Sequence, residues 1–215
     1  MTVPAPIRPN YAALEAAAVS TDPFAHVVVP HFVGPDDLAA LVASMPDLSS
    51  GGSFPPGSLT LAPLVRGLVA EMEGPRLRGA IARKFGLDLD GAPTMLTLRG
   101  RTREKDGRIH CDSVTKRVTV LLYLNPSSES WARQEGCLRL LRGPDDVEDY
   151  AAEIPPIDGT LLIFPNGPTT WHGHRQYVGR RYTIQLNYME NDAKARSEMR
   201  RHRLSALAKR LSHAA

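Results

Sequence analysis

Cysteine is nearly missing from this 215-residue chain: Cys111 and Cys137 are the only two, and no CxxC pair occurs. That excludes a disulfide framework and a thiolate-built metal site. Aromatic residues are scarce at 6%, and none follows Tyr188. A surface that stacks bases needs them, so nucleic acid is not the expected partner, although the C-terminal end is basic. No apolar run approaches the roughly 20 residues that cross a bilayer. Residues 1–6 lack the basic-then-apolar layout of a secretory leader. The expectation is a cytoplasmic protein without a membrane span.

What is present is a hydrophobic fraction of 42%, enough for a core in a chain whose length suits one structural domain. The net charge of +3 is unevenly spread. Residues 191–215 carry seven Lys/Arg against Asp192 and Glu198, so this tail is +5 and the remainder −2. The tail reads as a basic helix with Leu204, Leu207 and Leu211 as a narrow stripe. Such a stripe suits packing on the domain or on a second copy in a homodimer.

The first 93 residues read as helical and strand support. An Ala-rich helix is expected over 10–19, and the stretch from Asp22 to Pro30 reads as a turn feeding a strand. Pro35, followed by Asp36 and Asp37, opens a helix with Leu38, Leu41, Val42 and Met45 on one face. Leu64 to Met72 marks another helix, and Pro75 starts one that Gly86 stops. From Thr94 the period becomes two. Strands are expected near 94–98, 109–112, 115–124, 136–142, 159–165, 169–175 and 181–189, with Val178-Gly179 bending the last two into a β-hairpin. Helices first and short antiparallel strands afterwards predict an α+β fold: a core over 94–190 with helices packed outside a jelly-roll barrel, and a C-terminal helix over 191–215.

Within the last strand Arg181, Thr183, Gln185 and Asn187 share one face, and Tyr182, Ile184, Leu186 and Tyr188 the other. Upstream, His110 and Asp112 are two apart and so point the same way. One distant imidazole would complete a two-His-one-carboxylate set, which suits non-haem Fe(II) with open positions. His172 and His174 both face the right side to supply it.

His110-x-Asp112, then Gly136-Cys137-Leu138-Arg139-Leu140, Trp171-His172-Gly173 and Arg181-x-Thr183 resemble the iron(II)/2-oxoglutarate-dependent oxygenases, particularly the prolyl-hydroxylase-like branch, over roughly Thr94 to Glu190. The resemblance implies a double-stranded β-helix (jelly-roll) barrel that uses Fe(II), 2-oxoglutarate and O2. It implies metal ligands His110, Asp112 and His172, because the family's arginine follows its ligand histidine by nine or ten residues and Arg181 follows His172 by nine. Arg181 and Thr183 would hold the distal carboxylate of 2-oxoglutarate, with Tyr123 as a further donor. The implied reaction hydroxylates an unactivated C–H bond of a small-molecule or amino-acid/peptidyl substrate, with decarboxylation of 2-oxoglutarate to succinate. Retention of Asp112 favours hydroxylation over halogenation, since related halogenases vacate that place. His174, Trp171 and Asn187 are substrate-side candidates, and Arg101 and Arg103 could greet an anionic substrate. Two departures stand out: Cys137 replaces a glycine common in relatives, and Thr97 or Leu98 stands where signalling-protein hydroxylases carry a tyrosine. The competing expectation is a non-catalytic or cupin-like metal-binding jelly-roll protein, which usually takes more histidines from its strands and needs no Arg-x-Thr pair.

Overall fold

Four proline- or asparagine-initiated helices precede most of the strands. In the computed structural model, which describes residues 7–128, 135–197 and 199–201, α1 spans Tyr11–Ala16, and the Asn10 side chain caps it by accepting from the Ala13 amide at 2.9 Å. The next helix, α2 (Pro35–Ser44), starts on Pro35 with Asp36 and Asp37 in its first turn, where missing donors and negative charge are favourable. Helix α3 (Pro63–Glu73) runs almost directly into α4 (Pro75–Phe85). Gly86 ends α4 with φ 63°, a left-handed cap. Among the described residues no helix is long and apolar enough to cross a membrane. The tail leucines Leu204, Leu207 and Leu211 lie outside the described residues.

The strands are β1 (Val27–Val29), β2 (Thr94–Thr102), β3 (Lys116–Tyr123), β4 (Leu138–Leu141), β5 (Tyr150–Ile154), β6 (Leu161–Pro165), β7 (His172–Gly173) and β8 (Gly179–Met189). They form a five-stranded sheet in the order β1-β6-β3-β8-β2 and a three-stranded sheet in the order β5-β4-β7. Every pairing between these strands is antiparallel. The fold is therefore mixed helix and sheet, with two antiparallel sheets.

Three sequence expectations change. The hairpin across Val178-Gly179 does not form: β7 pairs with β4 in the small sheet, whereas β8 pairs with β2 and β3 in the large one. Residues 174–178 carry the chain from one sheet to the other, and a two-residue bend cannot do that. The strand expected over 109–112 reduces to one bridge between His110 and His172. Strand β5 was not foreseen, because Tyr-Ala-Ala-Glu-Ile alternates weakly and becomes a strand only through pairing with β4.

Period two divides the large sheet into two environments. Val118, Val120 and Leu122 of β3 and Ile184, Leu186 and Tyr188 of β8 join Leu41, Val65, Leu68, Leu77 and Ile81 of the helices in the main core. Their neighbours Leu121 and Tyr123 belong to a separate cluster with Leu138, Leu140 and Phe164. Each fully buried aliphatic side chain contributes about 1.5–3 kcal/mol, so the outer row anchors the sheet to its helices. That fixes the inner row's direction.

Candidate active site

The inner face carries polar groups that would be expensive to bury without a purpose. Arg181, Thr183, Gln185 and Asn187 of β8 all point inward and are at most 8% exposed. Across the ladder Thr183 lies opposite Tyr123 on β3 and opposite Arg99 on β2. Beyond that point two steps along β2, from Arg99 to Arg101, match three along β8, from Thr183 to Arg180. The additional residue is a β-bulge, a feature that re-aims side chains. Asn125 secures it: its side chain accepts from the Tyr182 amide at 2.7 Å and donates to the Tyr182 carbonyl at 3.2 Å.

A cavity of about 560 Å³ opens over this row, lined by residues of both sheets. On its small-sheet side the backbones of His110 and His172 exchange two hydrogen bonds, both 3.0 Å. Their rings lie 4.3 Å apart, centroid to centroid. Each Nδ1 faces a backbone carbonyl, that of Arg108 at 2.8 Å for His110 and that of Thr170 at 2.9 Å for His172. A carbonyl can only accept, so Nδ1 carries the proton and Nε2 keeps its lone pair. Burial, then the neighbouring His110, pushes His172 down to about 4 against the pull of Asp112, so the imidazole is neutral at physiological pH, as a metal ligand must be.

Asp112 is the third member. Its Oδ1 accepts from Lys116 Nζ at 2.5 Å and its Oδ2 from Thr119 Oγ1 at 2.6 Å. Burial raises this carboxyl, but the charge of Lys116 and the hydrogen bonds from Lys116 and Thr119 hold it below the usual carboxylate range. One ligand atom from each of His110, Asp112 and His172 lies within 4.8 Å of the others, a group that could hold a metal ion. His174 is not in it. Its Nδ1 bonds the Arg175 carbonyl at 2.7 Å, and its ring packs against Gly107, where a Cβ would approach to 2.3 Å.

Facing the three ligands is a set of donors without partners. Arg181 Nε donates to the Gly136 carbonyl at 2.9 Å. Among the described residues Arg181 Nη2, Thr183 Oγ1 and the Tyr123 hydroxyl are buried with no hydrogen-bond partner. The guanidinium sits 5.2 Å over the Tyr123 ring. Burial pushes the Tyr123 phenol up, with Arg181 opposing, so it stays protonated and able to donate. Each such orphan costs on the order of 1–3 kcal/mol unless something fills the gap. Three donors converging in one cavity fit the carboxylate end of a dicarboxylic acid. The fourth orphan, the Tyr188 hydroxyl, belongs to the outer, helix-facing row.

The remaining predicted residues divide. Arg101 and His174 line the cavity, whereas Trp171 and Asn187 do not. Trp171 adjoins His172 on an extended segment and so points the other way. Asn187 lies beneath the floor, its side chain 3.0 Å from the Thr119 hydroxyl. Arg103 also lines the wall, but its guanidinium and amide are both taken by Asp106, at 2.8–3.1 Å. Lys116 and Thr119, the two groups that orient Asp112, were not singled out from the sequence. Extending the Tyr123, Leu121 parity back along β3 reaches Thr119, so that signal was available; Lys116 offered only its spacing of four from Asp112.

Comparison with known proteins agrees with this geometry. The sequence profile described as the 2OG-Fe(II) oxygenase superfamily matches residues 100–189. No curated protein matches the sequence. Among solved structures, a Pseudomonas putida prolyl-4-hydroxylase is similar at 18% identity with a TM-score of 0.59, over 88% of this chain and 98% of that one. A prolyl 4-hydroxylase from Phytophthora capsici is similar at 16% identity and TM-score 0.55, over 90% of this chain and 70% of the other. HygX from Streptomyces hygroscopicus, solved with nickel and 2-oxoglutarate bound, is similar at 14% identity and TM-score 0.51, over 77% of this chain and 82% of that one. The superfamily works with Fe(II), 2-oxoglutarate and O2; the His/Asp/His group suits the metal, and the unpartnered donors suit a carboxylate of the 2-oxo acid. Residues 100–189 thus match the 2OG-Fe(II) oxygenase superfamily, and the fold is shared with prolyl-4-hydroxylase-like members of it.

Proposed function

We propose that this chain is an Fe(II)/2-oxoglutarate-dependent dioxygenase that hydroxylates an unactivated C–H bond of a small-molecule or amino-acid/peptidyl substrate, with 2-oxoglutarate converted to succinate and CO2. One observation carries the reading: three buried, unpartnered donors face a His/Asp/His group across a single cavity. When bound, the iron supplies the oxidising chemistry. The chain's part is to bind, orient and exclude water. His110 and His172 offer Nε2, and Asp112 offers a carboxylate whose rotation Lys116 and Thr119 restrain. Arg181, Thr183 and Tyr123 hold the distal carboxylate of the co-substrate, with Arg181 already braced on Gly136. Leu121 and Leu138 give the cavity apolar wall, which strengthens each of these electrostatic contacts by keeping water out.

The chain order supports a double-stranded β-helix. After β2 in the large sheet comes the His110 bridge beside β7, then β3 in the large sheet, β4 and β5 in the small, β6 in the large, β7 in the small and β8 in the large. A cupin-like reading would draw further histidines to the ion, and His174 is turned elsewhere.

Anaerobic addition of Fe(II) and 2-oxoglutarate is expected to give the visible charge-transfer absorption of a chelated 2-oxo acid. His110→Ala or His172→Ala removes it, and Arg181→Gln weakens 2-oxoglutarate binding roughly 10- to 100-fold, the scale of a lost charge-assisted hydrogen bond. An unchanged band in His172→Ala, or none in the wild type, overturns the proposal.

A further inference from the structure

We infer that Arg99 and Arg101 form an anion-recognition pair on the cavity wall, and that the substrate is a small molecule bearing a carboxylate or phosphate. The inference rests on the proposed co-substrate site, because it concerns the charges left over once that site is filled. Among the described residues five cationic side chains line the cavity, Arg99, Arg101, Arg103, Lys116 and Arg181, against two acidic ones, Asp106 and Asp112. Arg103 is taken by Asp106 and Lys116 by Asp112. Arg181 is committed to the co-substrate. Arg99 and Arg101 remain, and neither side chain has a hydrogen bond or ion pair with any described residue.

Their placement is built rather than incidental. They are two apart on β2 and both line the cavity, while Leu98, in the main core, and Gly100, against Leu48 and Tyr182, face the other way. At Gly100 a Cβ would come within 2.3 Å of Leu48 Cβ, so this length of β2 is pressed against its support and cannot roll its arginines outward. Arg99 is exposed by area, yet protein surrounds the space it enters. That surrounding bulk, and then Arg181, lower its pKa, with Asp106 and Asp112 too weak to compensate. The cavity is therefore short of negative charge. Two arginines whose Cα atoms are about 7 Å apart along a strand each carry a guanidinium fork suited to bidentate grip of carboxylate or phosphate oxygens. A volume of about 560 Å³ has room for a small ligand beside the co-substrate. An uncharged peptide segment would leave both cations unanswered.

Arg99 also lies across the ladder from Thr183, so the test must separate a grip on substrate from a grip on 2-oxoglutarate. The full chain, loaded anaerobically with Fe(II) and 2-oxoglutarate, is titrated with free amino acids, their amides, O-phosphoserine and serinamide while the visible band is followed. Carboxylate and phosphate arms then identify the source of the anion. Acid or phosphate probes are expected to perturb the band at concentrations at least tenfold below their neutral counterparts. Arg99→Gln and Arg101→Gln should each weaken that effect at least tenfold, with 2-oxoglutarate affinity changed less than twofold. Without metal, calorimetry with inorganic phosphate should show binding that survives Arg181→Gln and is lost in the Arg99→Gln/Arg101→Gln double variant. Neutral probes matching charged ones, a panel without effect, weakened 2-oxoglutarate binding in the Arg99 and Arg101 variants, or phosphate binding retained by the double variant each overturns the pair. Absence of the band in the wild type would instead overturn the proposed function, and the phosphate measurement stands apart from it.

Discussion

His172 and His174 are two residues apart and equally histidine, and their surroundings give them different tasks. His172 turns Nδ1 to the Thr170 carbonyl and Nε2 toward Asp112 and His110; His174 is closed off by Gly107 and the Arg175 carbonyl. Burial holds both near 4, below the 6.5 of a free imidazole. A histidine whose folded pKa is depressed binds its proton more readily when unfolded. It therefore contributes stability fully above pH 6.5, and that contribution is lost as pH falls through about 4. Melting of the metal-free protein should drop between pH 6.5 and 4, and His174→Gln should flatten part of that drop. A profile identical in the variant would contradict the burial argument. The same scale explains Arg103. Its charge looked available in a basic stretch, yet Asp106 three residues on closes a turn around it. A local Arg-x-x-Asp pair can be seen in sequence, but only the turn geometry shows that it consumes the charge.

At the scale of the element, alternation does most of the sorting. Leu122 faces the helices and Leu121 the cavity, although they are adjacent on β3. Leu122→Ala should cost about 2–5 kcal/mol of stability while 2-oxoglutarate affinity, measured below the melting transition, stays within a factor of two. Comparable weakening of co-substrate binding would mean that the two faces are not separate. What could be read in the sequence was whatever depends on local period: the four helices, with Pro35 and Pro75 as starts of two of them, and the polar row of β8. The matching profile and neighbours agree with the family resemblance seen in that row and its companions. What could not be read depends on partners far along the chain. The β7–β8 hairpin looked natural because Val178-Gly179 has bend chemistry, but β4 claims one arm and β2 and β3 the other. Strand β5 exists because Leu138 to Leu141 needs a neighbour. The bulge that seats Arg181 depends on Asn125, more than fifty residues earlier.

Across the whole molecule, the candidate ligands come from both sheets. His172 belongs to the small sheet with His110 bridged to it, whereas Arg181, Thr183 and Tyr123 belong to the large one. Filling the cavity should therefore stabilise the chain as a unit. With a redox-inert divalent ion and 2-oxoglutarate each at about a hundredfold over its dissociation constant, linkage gives roughly 2.7 kcal/mol for each ligand, or about 5–10 °C in melting temperature apiece for a chain of this size. Arg181→Gln should forfeit the co-substrate increment and His172→Ala the ion's; a wild-type transition unmoved by either ligand would argue against a site spanning the two layers. The side-by-side arrangement of β2 and β8 has a consequence for descent. Main-chain pairing between them is indifferent to side-chain identity, so mutations at Arg99 and Arg101 can retune what the pocket accepts while the neighbouring strand keeps its inventory. New specificities could then arise by drift along one edge, without passing through an inactive ancestor.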